Sequence, residues 1–305
     1  MTGRLPARHA LLALAVVAVW GSNFVVMKIA LDTMPPLWLA TLRFAFALLP
    51  AAFFVRRPPV PWRHLAAYGV LIGAGQFGLL YVAIDGHIAP GLASLVVQTQ
   101  AFFTIGLAIW LTGERLRGVQ WLALLLAASG LVVIVAHTDA TTTLVGLLLV
   151  VGAALAWAGG NHVARASGRV DMLGYVVWSS VFAVPPLAAA ALWFEGGPAL
   201  VAAVSSADIG VWTAVLWQSV GNTLFGYAAW GWLLARHPAA SVAPLSLLVP
   251  VFGLASAAVW LGEPMPPWKL AAAGLVIGAL ALNAYGPGLL LRLRRGASAE
   301  GRLPH

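Results

Sequence analysis

The stretch that decides the fold is residues 9–29, HALLALAVVAVWGSNFVVMKI. Its length is about the 20 apolar residues that one helix needs to cross the hydrocarbon core of a bilayer. The run has no period of two, which favours a helix over a strand of a barrel. Arg4 and Arg8 precede it, as basic residues do in a secretory signal peptide. Because the run is too long for a signal peptide and no small-x-small site ends it cleanly, we interpret it as a permanent first helix.

Nine further stretches of the same kind follow along the chain, at residues 37–55, 64–84, 90–111, 117–136, 144–163, 173–194, 209–232, 238–260 and 267–290. Ten helices of about 20 residues use about 200 residues. That leaves no room for a soluble domain in a chain of 305 residues. The sequence therefore predicts an all-α integral membrane protein with ten transmembrane helices.

Composition excludes most other classes of protein. The chain has 17 Lys and Arg and 9 Asp and Glu, together 9% of its residues, whereas a soluble domain carries about 25%. A soluble enzyme and a disordered chain are excluded on this ground. There are no cysteines, which excludes disulfides and thiolate chemistry. We find no His-Glu-x-x-His, no Gly-x-Ser-x-Gly and no paired carboxylates inside a span. We therefore predict that the protein is not an enzyme and has no cofactor or metal site.

The charged residues predict the topology. Fourteen of the 17 basic residues fall in the two termini and in alternate loops, on one side of the predicted bundle. Lys28 and Lys269 lie on the other side with most of the acidic residues, and Arg43 lies within the second span. The positive-inside rule makes the basic side cytoplasmic, with both termini inside a bacterial-type cytoplasmic (inner) membrane. The net charge of +8 is thus explained by topology, and we expect no nucleic-acid partner.

The two halves of the chain resemble each other in an ordered series of matches. Residues 20–23, WGSN, correspond to residues 157–161, WAGGN, and residues 110–114, WLTGE, correspond to 260–263, WLGE. Gln76 and Tyr81 correspond to Asn222 and Tyr227 at an offset of 146. The predicted units are a first five-helix repeat at 1–138, a second at 139–291, and a cytoplasmic tail at 292–305 that we expect to be disordered.

Each repeat has an odd number of spans, so the second must enter the membrane from the opposite face. Inverted repeats are typical of transporters that bind their substrate near the midplane by alternating access, although duplicated halves can also serve stability alone. On this architecture a transporter is the favoured class.

Several short motifs carry a resemblance to a known family. They are Trp20-Gly21-Ser22-Asn23-Phe24 with Lys28, Arg43 followed by aromatic and small residues, and the Gly113-Glu114 and Gly262-Glu263 turns. With them the chain resembles the drug/metabolite transporter superfamily, in particular its EamA-type ten-helix exporters, and among these the bacterial exporters of (aromatic) amino acids. The resemblance implies efflux of small metabolites through a basket of spans 1–4 and 6–9, with spans 5 and 10 outside.

Neutral polar residues reach the depth of the bilayer midplane. They are Gln76, Gln98, Gln100, Gln218, Asn222 and Ser246. An amide in hydrocarbon must find a hydrogen-bond partner, so these side chains are expected to face the bundle interior. They either line a polar substrate cavity or join helices by hydrogen bonds worth about 0.6 kcal/mol each.

Further cavity candidates are the aromatic and polar residues Trp20, Asn23, Tyr81, Trp157 and Trp178. The aromatic ones could receive an apolar substrate side chain, and core packing is an equal alternative. Arg43 either snorkels to the outer surface or faces the cavity and holds a substrate carboxylate.

No acidic residue falls in the middle of a predicted span. Since an intramembrane carboxylate is the usual element of ion coupling, its absence favours facilitated diffusion or exchange. The predicted substrate is a small molecule, most of all an amino acid. Another small polar or drug-like metabolite, or a lipid in a translocase, is the alternative. The lipid bilayer is the other expected partner, and the chain is predicted to be a monomer or a weak homodimer. Spans 5 and 10, the latter with the close-packing motif Gly274-x-x-x-Gly278, are expected at the periphery, where they either pack on the bundle or dimerise.

Overall fold

The computed structural model describes residues 5–112, 118–139, 141–237 and 239–300. Within these ranges the chain forms helices and turns and no strand. Ten helices, numbered in chain order, make up the bundle: α1 Ala7–Leu31, α2 Pro36–Phe54, α3 Trp62–Ile84, α4 Pro90–Leu111, α5 Gly118–Val135, α6 Leu144–Ala166, α7 Met172–Phe194, α8 Ile209–Arg236, α9 Pro244–Leu261 and α10 Pro267–Glu300.

Nine of these described helices are long and apolar enough by themselves to cross a membrane. The tenth, α8, meets a short helix at Gly197–Ser206 with a bend of 113°. Every predicted apolar stretch coincides with one of the helices, because the length of apolar sequence is what a bilayer selects. The chain is therefore a multi-pass membrane protein.

Prolines act differently in α2 and α7. Pro50 separates the regular part of α2, Pro36–Leu48, from its last short turn at Ala51–Phe54. Helix α7 continues through Pro185 and Pro186 without a break, although prolines inside a helix remove a backbone donor and often interrupt it. Packing against neighbouring helices holds a proline-containing helix together once its freed carbonyls are accommodated.

Helix α10 extends beyond its predicted span at one end and carries a buried lysine at the other. Its backbone is helical to Glu300, so residues 292–300 of the predicted tail belong to this helix. Residues 301–305 and the predicted Gly113-Glu114 turn lie outside the described residues. At its other end Lys269, which the charge distribution assigns to the non-cytoplasmic side, is buried within the protein. Its ammonium group donates to Glu263 Oε1 at 2.9 Å and to the carbonyl of Pro264 at 2.8 Å.

Two stretches of π-helix interrupt the bundle at corresponding places. One is Val70–Gly78 in α3 and the other is Trp217–Phe225 in α8; each has nine residues. Shorter 3₁₀ turns at Val97–Thr99 and Ala243–Leu248 are related in the same way. π-Helical turns widen a helix, leave some of its carbonyls differently directed, and recur at functional sites.

Close helix packing brings α3 onto α7. At Gly69 an added Cβ would lie 2.1 Å from the carbonyl oxygen of Ser179, and at Gly73 it would lie 2.3 Å from Ala183 Cβ. These contacts require glycine, since any side chain would push α3 off its neighbour. Helices α5 and α10 pack on each other, with Gly130 against Val276.

Candidate functional site

The buried cation Arg43 organises the polar centre of the molecule. Its side chain is 1% exposed, so the snorkelling alternative does not apply. Nη2 donates to Asn222 Oδ1 at 2.7 Å, and Nη1 donates to the hydroxyl of Tyr81 at 3.3 Å. Thr223 Oγ1 accepts from Nη2 at 3.2 Å, and the guanidinium carbon lies 3.8 Å from the centre of the Phe77 ring. Helix α2 thus contributes the cation, and α3 and α8 contribute its partners.

A second layer of hydrogen bonds holds these partners in place. The Tyr81 hydroxyl donates in a short bond to Gln218 Oε1, whose amide nitrogen donates to the carbonyl of Ala214 at 3.2 Å. Thr223 Oγ1 donates to the carbonyl of Gln218 at 2.9 Å, five residues back, as the π-helix allows. The indole of Trp20 donates to the carbonyl of Asn222 at 3.1 Å. The acceptors around Arg43 are therefore preorganised.

Among the residues that the structure describes, no carboxylate forms an ion pair with Arg43. The ion pairs of the described residues are Lys28–Asp32 and Lys269–Glu263, and neither includes Arg43. A guanidinium keeps its charge in a protein, and a buried charge needs compensation. Neutral oxygens and an aromatic face supply part of it here. The site can therefore accept an anionic group from a ligand.

A small cavity adjoins Arg43, between α2, α3, α7 and α8. Its volume is about 10 Å³, room for about one water molecule. Polar and aromatic side chains line it: Arg43, Phe44, Tyr68, Phe77, Ser179, Ser180, Thr223 and Tyr227. A space of this size does not admit an amino acid, so in this conformation the bundle is closed around the cation.

Two buried amide oxygens have no hydrogen-bond partner among the described residues. They are Asn23 Oδ1 on α1 and Gln76 Oε1 on the π-helical part of α3, with side chains 2% and 5% exposed. Buried acceptors without a partner are costly. Each can accept a donor from a ligand.

The remaining predicted residues are not joined to Arg43 by a hydrogen bond that the structure describes. Gln100 Oε1 accepts from Asn161 Nδ2 at 2.9 Å in a separate link between α4 and α6. Trp178 donates to the carbonyl of Val55 at 2.9 Å, near the start of α7, and does not line the cavity. Gln98 is buried in its 3₁₀ turn; Ser246 lies in the other turn and Trp157 packs against the core.

Sequence reasoning missed Thr223, Tyr68 and the Ser179-Ser180 pair. Thr223 follows Asn222 directly, and in a regular α-helix the two side chains point about 100° apart. The π-helix turns both toward Arg43. The serine pair was the available signal in α7, because adjacent hydroxyls are unusual in an otherwise apolar span.

A bundle of ten apolar helices around a buried polar centre is the architecture of a membrane transporter. The model of the EamA-like transporter family matches residues 7–136 and again residues 144–285. The chain therefore belongs to this family.

Relatives with assigned names are similar over nearly their whole length. A probable amino-acid metabolite efflux pump of Salmonella typhimurium is 42% identical over 296 residues, which cover 95% of this chain and 98% of that protein. A protein of Escherichia coli with the same name is 40% identical, with coverage of 92% and 95%. A solved crystal structure that is 18% identical has a TM-score of 0.61 and covers 90% of this chain and 95% of its own, which shows the shared fold.

Proposed function

We propose that the protein exports amino acids or closely related metabolites across the cytoplasmic (inner) membrane. The observation that carries this proposal is a buried Arg43 with neutral partners and no carboxylate within ion-pairing distance among the described residues. An α-carboxylate matches the planar fork of a guanidinium and supplies the missing charge. The two efflux-pump relatives support the same substrate class.

The ammonium group of an amino acid needs acceptors and no donors. Asn23 Oδ1 and Gln76 Oε1 supply acceptors that are buried and otherwise unused. We assign them to this role, with Tyr68, Phe77 and Tyr227 as the apolar wall for the substrate side chain. The remaining predicted residues serve as helix-joining hydrogen bonds or core in this proposal, Gln100 and Trp178 among them.

In this proposal, transport results from a rocking motion of two inverted repeats about the polar centre around Arg43. The first repeat covers 1–138 and the second covers 139–291. The double match to one family model and the corresponding π-helices in α3 and α8 support this division. The same proposal puts both termini in the cytoplasm, in line with the distribution of basic residues. A closed cavity around Arg43 fits a state between the inward-open and outward-open conformations.

Ion coupling is not part of the proposal. The described carboxylates lie at helix ends and in turns: Asp32, Asp85, Asp139, Asp171, Glu195, Asp208 and Glu263. A carboxylate in the middle of a span is the usual coupling site. Facilitated diffusion down the substrate gradient, or exchange, is therefore the proposed mechanism.

Counterflow in liposomes tests the function. Purified protein is reconstituted in vesicles loaded with an unlabelled amino acid, and uptake of the radiolabelled form is followed over a panel of amino acids. We expect accumulation above that of protein-free vesicles, and no requirement for a pH gradient. No counterflow with any amino acid, or counterflow only of a lipid or a drug-like cation, contradicts the proposal.

A further inference from the structure

Helix α2, which carries Arg43, has no side-chain cap of its own. Pro35 precedes it and makes no capping hydrogen bond, and Pro36 has no N–H to donate. The N–H of Leu39 donates to the carbonyl of Pro35 at 2.9 Å. The N–H groups of Leu37 and Trp38 therefore have no acceptor within α2. Such groups at a helix start need a hydrogen-bond partner from elsewhere, or the helix loses stability.

Both groups are satisfied by one carboxylate from the other half of the chain. Leu37 N donates to Glu195 Oε1 at 2.7 Å, and Trp38 N donates to Glu195 Oε2 at 3.0 Å. The indole of Trp38 also donates to the carbonyl of Gly196 at 3.0 Å. Glu195 directly follows Phe194, the last residue of α7. We call these three hydrogen bonds the Glu195 latch.

The latch is rigidly connected to the polar centre. Arg43 follows Leu37 by six residues in one uninterrupted helix, a distance of about 9 Å along the axis. Any shift of the first turn of α2 relative to α7 therefore moves the guanidinium relative to Asn222 and the cavity. Because α2 and α7 belong to different proposed repeats, a rocking motion must strain or break this contact.

We infer that Glu195 is a positioning residue for transport: it holds the start of α2 on the end of α7 and so keeps Arg43 in place while this end of the bundle is closed. The inference rests on the proposed alternating-access function. A carboxylate suits this task because a helix N-terminus attracts negative charge and its two oxygens can serve two N–H groups at once.

The matched control is Asp208, which caps a helix in the ordinary way. Asp208 Oδ1 accepts from Val211 N at 2.9 Å, within the start of its own helix α8. Asp208 lies in the same connection as Glu195, between the end of α7 and the start of α8. Loss of this cap weakens one helix end and leaves α2 and α7 joined.

The experiment measures opening directly through a thiol reporter. The chain has no cysteine, so the variant Ser180→Cys carries a single thiol. Ser180 lines the cavity and is 1% exposed, so the reagent reaches this position only when the bundle opens. Intact cells are treated with a small membrane-impermeant methanethiosulfonate from outside. The reporter is compared alone and together with Glu195→Gln, Glu195→Ala, Glu195→Asp or Asp208→Asn.

We expect Glu195→Ala and Glu195→Gln to raise the modification rate by about tenfold, since charge-assisted hydrogen bonds that hold the closed state are lost. Glu195→Asp keeps the charge and restores part of the slow rate. Asp208→Asn leaves the rate unchanged. Equal rates in all variants, or equal acceleration by Asp208→Asn, overturn the inference. A variant is included only if the protein purified from the same cells is monodisperse, and the Glu195→Asp arm covers the case in which Glu195→Ala does not fold.

Acidification gives an independent readout. Partial burial raises the pKa of the Glu195 carboxyl, the hydrogen bonds from Leu37 and Trp38 oppose this, and the charge of Asp85 adds to it. Asp85 is the charged neighbour that acts on Glu195 among the described residues. Protonation thus imitates Glu195→Gln at a pH above the usual range of a glutamate. Because acidification protonates the reporter thiol and slows its modification in every variant, the rate of the parent is divided by that of Glu195→Gln at each pH. This ratio should rise towards one on acidification; a ratio that does not change with pH contradicts the latch.

The two proposals fail separately. If the reporter responds as expected and no amino acid is transported, the latch stands and the substrate assignment is wrong. If amino acids are transported and the reporter does not respond, transport stands and Glu195 is only a cap.

Discussion

Replacement of Arg43 by Gln is the perturbation that most directly tests the site. In the parent, Arg43 Nη2 lies 2.7 Å from Asn222 Oδ1. The variant removes the charge but keeps an amide group that can donate to the same oxygen. A hydrogen bond to a charged group contributes about 1.5–3 kcal/mol. Loss of the contact to a substrate carboxylate should therefore raise the KM for an amino acid by about 10- to 150-fold.

The assay is counterflow with pairs of substrates that differ in one group. An amino acid and its carboxamide are compared in the parent, in Arg43→Gln and in Arg43→Lys. The parent should prefer the acid by a factor of about 10 or more, and Arg43→Gln should lose this preference. Lysine keeps the charge but not the two-pronged fork, so Arg43→Lys should fall between them. The control is Arg56→Gln, at an exposed arginine in the loop after α2.

The result that refutes the reasoning is an equal loss of transport for the acid and the amide in Arg43→Gln. In that case Arg43 stabilises the helix bundle and does not bind the substrate carboxylate. A changed acid preference in Arg56→Gln would equally contradict the assignment, because that side chain lies outside the cavity.

Two further predictions concern packing and a buried ion pair. Gly73→Ala should lower stability by about 1–3 kcal/mol, because its Cβ would lie 2.3 Å from that of Ala183; thermal unfolding in detergent measures this, with Gly106→Ala, where nothing lies within 4 Å, as the control. Glu263→Gln should cost about 3–5 kcal/mol, because the buried Lys269 loses its ion-pair partner and the carboxylate that accepts from Gly91 N is gone. A double variant with Lys269→Met should recover much of that loss, and a double variant as unstable as the single one would contradict this reading.

The spans could be predicted from the sequence because the constraint is local. A helix must carry about 20 apolar residues wherever it crosses the bilayer, whatever its neighbours are. Residues 9–29 already meet this requirement, and α1 extends over Ala7–Leu31. The matches between the halves are also local features, since Gln76 and Asn222 stand out against apolar surroundings; the inverted repeat stays a prediction.

The conformations inside the spans could not be predicted in this way. Nothing in residues 70–78, VLIGAGQFG, distinguishes a π-helix from an α-helix, because the difference is a shift of one residue in the hydrogen-bond register. The uninterrupted course of α7 through Pro185 and Pro186 likewise depends on what packs around it. Neighbouring helices decide both.

By itself the sequence determined the class of protein, the apolar segments that form its nine or ten spans and the set of polar residues within them. Only the tertiary structure decided which of these residues meet. Arg43 was compatible with the surface or the interior until α3 and α8 were seen to supply Tyr81 and Asn222 to it. Gln100, equally polar and similarly deep, forms a separate contact. The physical reason is that hydropathy acts on each helix alone, whereas a buried cation is stabilised by acceptors that come from several helices at once.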